Sequence, residues 1–166
     1  MVDEWHDFFL AEAGAAGVLT GLVFVGVSIN LEKIVADPRS GLAGRAAEAL
    51  ILLVAVLTAS SLLLVPGQGG GLVGLEVLAV GGVAWAWTLA IQLLHLRNWR
   101  AMGPALRRIF VSRVALVQIA TLPFLAGGVV ILGWGTGGLY LLAAGMLLSV
   151  IVALCEAWVL LVEINR

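Results

Sequence analysis

Glu12 and Glu76 are carboxylates set a turn or two inside stretches that are otherwise apolar, and Gln92, His95 and Gln118 stand in similar surroundings. In hydrocarbon such groups each cost a few kcal/mol unless they are protonated, hydrated, hydrogen-bonded or bound to a cation. The chemistry open to them is therefore the carriage of a proton or a cation, and these five residues are the candidates for an ion pathway. On a helix of about 100° per residue, Trp85, Thr88, Gln92 and His95 form one stripe while Glu76 and Trp87 lie opposite. His6 could join Glu12 in a His and carboxylate site for zinc or another divalent ion, although no fixed ligand spacing supports one. Arg113 and Glu156 stand at similar depth and read as an ion pair, or as an inner gate. Glu48 is expected to pair with Arg45 or to reach interfacial water.

These residues need a scaffold that tolerates them in lipid. The 166 residues are 62% hydrophobic and 11% charged, with a mean hydropathy of +1.13, whereas soluble domains carry about 25% charged residues. An α-helix needs about 20 apolar residues to cross a bilayer. Five segments qualify, at roughly 8–28, 47–65, 72–96, 109–132 and 139–162. With no alternating barrel pattern, the expected fold is all-α, a single helical transmembrane domain over 1–166.

The nine basic residues fix an orientation. Lys33, Arg39 and Arg45 fall in one connection, Arg97, Arg100, Arg107, Arg108 and Arg113 in or just past another, and Arg166 at the C-terminus. Lys and Arg collect on the cytoplasmic side, so the N-terminus is expected outside and the C-terminus inside, in a multi-pass protein of the cell membrane. The outer side then holds five acids (Asp3, Glu4, Asp7, Glu12, Glu76) and no base. The inner side sets five acids (Glu32, Asp37, Glu48, Glu156, Glu163) against all nine bases. An acidic mouth of that kind concentrates cations.

Further features refine the scaffold. Gly14, Gly17 and Gly21 line one face of the first span, and Gly17 with Gly21 makes a GxxxG step suited to close contact with a neighbouring span or another copy. Asp37-Pro38 breaks the first helix extension, and Gly103-Pro104 starts the fourth span. Trp5, Trp134 and Trp99 stand at expected interfaces, whereas the mid-span indoles of Trp85 and Trp87 need partners. Pro123 frees the carbonyl of Ile119, so the fourth span is expected to bend, with Gln118 and Thr121 lining water or packing on span one.

Several chemistries find no residues. His6 and His95 stand at opposite ends and cannot share one haem, no span holds a lysine for a retinal Schiff base, and Cys155 is the only cysteine. No catalytic motif or phosphate loop appears, so no enzyme, no cofactor and no nucleic-acid partner is expected; the basic loop from Arg97 to Arg108 reads as a contact for anionic lipid.

The runs Glu4-Trp5-His6-Asp7-Phe8-Phe9, Ala13-Gly14-Ala15-Ala16 and Leu19-Thr20-Gly21-Leu22-Val23-Phe24-Val25, with Val27-Ser28-Ile29-Asn30 and Leu64-Val65-Pro66-Gly67-Gln68, resemble small bacterial inner-membrane proteins, some labelled modulators of the protease FtsH. The resemblance covers about the first 70 residues, has no catalytic motif and transfers no site residue. Taken together, the sequence favours a homo-oligomeric cation or proton channel with an acidic outer mouth, since one chain of this size encloses little of a pore. The alternative is a non-conducting accessory or regulatory subunit that binds another membrane protein such as a membrane protease, favoured by the lack of a continuous polar stripe along any span.

Overall fold

The computed structural model describes residues 3–36, 41–96 and 103–164, so Asp37-Pro38, Arg39, Arg97, Trp99, Arg100 and Arg166 lie outside the described residues, as do the side chains of Asp3 and Glu163. A 3-10 turn, Asp3–Trp5, leads into α1 (His6–Ile29), followed by α2 (Leu31–Ala36), α3 (Leu42–Leu63), α4 (Gly70–Leu96), α5 (Pro104–Trp134) and α6 (Gly137–Ile164). Five of these are long and apolar enough to cross a membrane. The protein is an all-α integral membrane bundle.

The helices run beyond the apolar spans at the basic end. The second long helix starts at Leu42 rather than near 47, and the fourth at Pro104 rather than near 109, so Arg45, Arg107 and Arg108 are helical. Hydropathy marks where lipid is, whereas the backbone keeps its hydrogen-bond ladder for as long as side chains can reach water or a partner. Chain direction breaks at Asn30, whose side-chain amide donates to the Gly26 carbonyl; the short α2 then tucks Ile34 into a small cluster with Ala46 and Leu160.

Helices α3 to α6 close a four-membered ring of neighbours: α3 on α4, α4 on α5, α5 on α6, and α6 back on α3. Helix α1 stands outside it, packed on α3 and only marginally on α6. Its most apolar window is 11% buried, against 56% for α3. What holds α1 is Phe9 and Ala16, both fully buried, and an aromatic group at its start, where Trp5 meets Tyr140 of α6 edge-on at 4.8 Å. Trp5 is thus a packing residue, while Trp134 remains 81% exposed as an interfacial residue would.

Glycine packing lies elsewhere than on the expected face. Side chains built at Gly14 or Gly21 would meet nothing within 4 Å, and one at Gly17 would make only ordinary contact with Leu57. No neighbouring span uses the GxxxG step, because α1 turns its Phe9–Ala16 face to α3 instead. The close approaches are inside the ring. A Cβ at Gly81 would stand 2.7 Å from the Phe124 side chain, one at Gly74 2.7 Å from Leu132, and one at Gly128 2.6 Å from Leu78, so glycines bring α4 against α5. Gly127 and Gly138 bring α5 against α6 so closely that a Cβ on Gly138 would collide with the Gly127 carbonyl. Gly81 therefore serves packing, and α4 runs unbroken through Gly81-Gly82.

Gly138→Val should lower stability by about 1–3 kcal/mol through overpacking, whereas Gly14→Val and Gly21→Val should leave the stability of the single chain within about 0.5 kcal/mol. Unfolding of the purified variants in detergent measures both. Equal losses at Gly14 and Gly138 would contradict this packing.

Candidate functional site

At the basic end, four charged side chains from three helices meet in the ring. Arg45 and Glu48 stand near the start of α3, Arg113 a little over two turns into α5, and Glu156 about two turns before the end of α6. Arg113 Nε donates to Glu48 Oε2 at 2.7 Å; Nη2 is equally close to that oxygen but not aligned as a hydrogen bond. Arg45 Nη1 donates to Glu156 Oε2 at 2.7 Å, and Arg113 Nε also lies 3.8 Å from that atom. The result is a chain of alternating charge, Arg45–Glu156–Arg113–Glu48, with no net charge. Arg45, 15% exposed, leads it towards the surface, and Glu48, fully buried, ends it.

The expected pairing is thereby corrected. Arg113 does meet Glu156, but only at the longer distance, and its close partner is Glu48; Glu48 does not pair with Arg45, whose side chain crosses to α6, and it is fully buried rather than reaching the interface. Partners on different helices tie the ring together, which a pair within α3 would not do.

A neutral polar ladder continues from the charged chain. Gln92 lies beside Glu48, although its Nε2 makes no aligned bond there. Its Oε1 accepts from Gln118 Nε2 at 3.0 Å, and Gln118 Oε1 accepts from Trp85 Nε1 at 2.8 Å. The Gln118 side of α5 thus faces α4 rather than α1, because Trp85 and Gln92 offer the donor and acceptor that the Gln118 amide needs. Thr88 and Thr121, both buried, bond to carbonyls of their own helices, and Ser149 of α6 donates to the Ala120 carbonyl at 3.4 Å. The helix passes through Pro123, whose ring lies against Gly145.

His95 borders the charged chain. Its Nδ1 lies 2.9 Å from the Ile91 carbonyl, an acceptor, so Nδ1 carries the proton. A Cβ on Gly44 would stand 2.6 Å from His95 Cε1 and 3.3 Å from Arg113 Nη2. Only glycine at this position of α3 lets the imidazole and the guanidinium approach together. Of the five candidate pathway residues, Gln92, Gln118 and His95 are gathered here.

Glu12 and Glu76 are not. Glu76 accepts two bonds from the Gln68 amide, at 3.0 and 2.9 Å, across the glycine-rich turn before α4, so it has the partner that the absence of nearby bases seemed to deny it. Glu12 is half-buried on α1, and its Oε2 is buried without a hydrogen-bond partner among the described residues. His6 is exposed, and the described residues contain no group of three or more His, Cys, Asp or Glu able to hold a metal ion.

Beyond the polar half, towards the glycine-turn end, the interior is apolar. Val56, Ala59, Leu63, Val73, Val77, Phe124, Ile131, Leu139, Leu142 and Met146 form one buried apolar cluster, joined by Phe9 and Ala16 of α1. Ser60, fully buried, directs its hydroxyl at Met146 Sδ of this cluster, 3.8 Å away.

Comparison with known proteins finds no family model, curated protein or solved structure that matches this chain.

Removing one partner of the buried pair strands the other. Arg113→Met should cost about 3–5 kcal/mol, and Glu48→Leu combined with Arg113→Met should recover most of that loss, since a buried pair replaced by apolar residues is often neutral. Unfolding free energies in detergent provide the comparison. A double variant no more stable than the single one would refute the pairing.

Proposed function

We propose that the protein is a non-conducting membrane subunit that acts by associating with another membrane protein through α1. The observation that carries this reading is the apolar block beyond a charge-balanced cluster: the ring is built to hold together, with the charges of Arg45, Glu48, Arg113 and Glu156 set against one another. Helix α1 is what remains for a partner, since it is attached along one face only and its Gly14 and Gly21 positions stay open. Small residues let helix backbones approach closely in lipid. A membrane protease is the partner class to try first, on the resemblance of the first 70 residues. The basic connections support an orientation with the N-terminus outside and the C-terminus in the cytoplasm of a bacterial cell.

A second reading is a homo-oligomeric channel for protons or cations, with its path between copies rather than inside one. The unpartnered buried oxygen of Glu12 favours it, because several copies could set this carboxylate around a shared axis.

Proteoliposomes distinguish the two. Under the first reading, the reconstituted protein passes no protons or potassium above the rate of empty vesicles, and Gly14→Leu with Gly21→Leu abolishes recovery of the protein with its membrane partner. Flux from a stable oligomer that falls at least tenfold in Glu12→Gln would establish the channel instead.

A further inference from the structure

The outward side of α5 at the basic end combines a cationic rim with a small apolar floor. Arg107, Arg108, Val111, Ser112 and Ala115 line one shallow depression there. Their spacing, at i, i+1, i+4, i+5 and i+8, keeps them on a single side of the helix. Arg108 is exposed, and no carboxylate pairs with it among the described residues. This contrasts with Arg45 and Arg113, whose guanidiniums are committed to the interior. Ser112 is exposed, and its hydroxyl donates to the Ile109 carbonyl at 2.9 Å, which leaves the hydroxyl oxygen able to accept.

Depth orders these groups along the membrane normal. Arg107 and Arg108 stand in the first turns of α5, where headgroups lie, and Val111 and Ala115 follow about 5 and 11 Å further in, at about 1.5 Å per residue. A ligand that matches must carry negative charge at one end and hydrocarbon at the other. Soluble anions satisfy only the rim, and zwitterionic lipids present a cation of their own to the arginines.

We infer that this side of α5 is a docking site for an anionic phospholipid, with the phosphate held by Arg108 and Arg107 and an acyl chain laid over Val111 and Ala115. The lipid's charge complements an arginine that no carboxylate among the described residues neutralises, and guanidinium groups bind phosphate with paired hydrogen bonds. The small side chains at 111 and 115 leave the depression that a chain fills.

Native mass spectrometry of the full chain, exchanged into phosphatidylglycerol or into phosphatidylcholine of identical chains, tests this. One phosphatidylglycerol should be retained preferentially, Arg108→Gln should reduce its retention about fivefold, and Ala115→Trp should displace it while leaving the arginines in place. Lys33→Gln, which removes a base from α2 at the same end, should change nothing. Equal retention of the two lipids, or an equal loss in Lys33→Gln, would overturn the proposal. So would competition by inorganic phosphate at millimolar concentration, which would mark a site for soluble anions. Undiminished retention in Ala115→Trp would likewise remove the acyl chain from it.

Discussion

An arginine in hydrocarbon must find its counter-charge within the protein, and the arrangement of this bundle follows from where Arg113 finds its own. Glu48 and Glu156 lie on helices flanking the same interior space, so satisfying one guanidinium draws α3, α5 and α6 to a common axis. Arg45 then balances the second carboxylate from the surface side. Hydrophobic burial has little power to drive association in lipid, where the surroundings are as apolar as the core. Directional polar contacts and close van der Waals packing are left to specify the neighbours.

The two devices divide the ring between them. Ion pairs and side-chain hydrogen bonds join the helices at the basic half, through Arg113, Gln92, Gln118 and Trp85. At the other half the helices meet closely at Gly74, Gly81 and Gly128, which receive side chains of the facing helix, and backbone to backbone at Gly127 and Gly138, where even a methyl group would intrude. Helix α1 takes part in neither device. Its hold is a line of apolar contacts with α3 and an aromatic group at its first turn, and Gly14 and Gly21 face away.

Much of the fold was legible in the sequence because hydropathy and length are properties of single segments. Five spans, tight glycine-rich turns and an all-α bundle follow from them directly. Neighbour relations do not. The GxxxG step at Gly17 and Gly21 has the stronger local pattern, yet the ring packs through glycines such as Gly81 and Gly138 whose partners lie on other helices. Polar pairing behaves likewise. That Arg113 would need an acid was evident from its depth, but choosing Glu48 over Glu156 depends on a crossing geometry that no single segment encodes. Glu76 looked isolated for the same reason: the counting of bases overlooked the amide of Gln68, eight residues away in a turn. The stripe of Trp85, Thr88, Gln92 and His95 was readable as a stripe, but that it lies on the side of α4 facing the interior comes from the packing of the helices.

The charge chain also has a consequence in time. Helices leave a ribosome in order, and α3 brings Arg45 and Glu48 together as a balanced set, whereas α5 adds Arg113 with nothing new to oppose it. Until α6 arrives with Glu156, the buried charged cluster holds two arginines, Arg45 and Arg113, against the single carboxylate of Glu48. Helix α6 supplies the fourth charge and balances the set, so α3, α5 and α6 are electrically matched at this point only when all three are together.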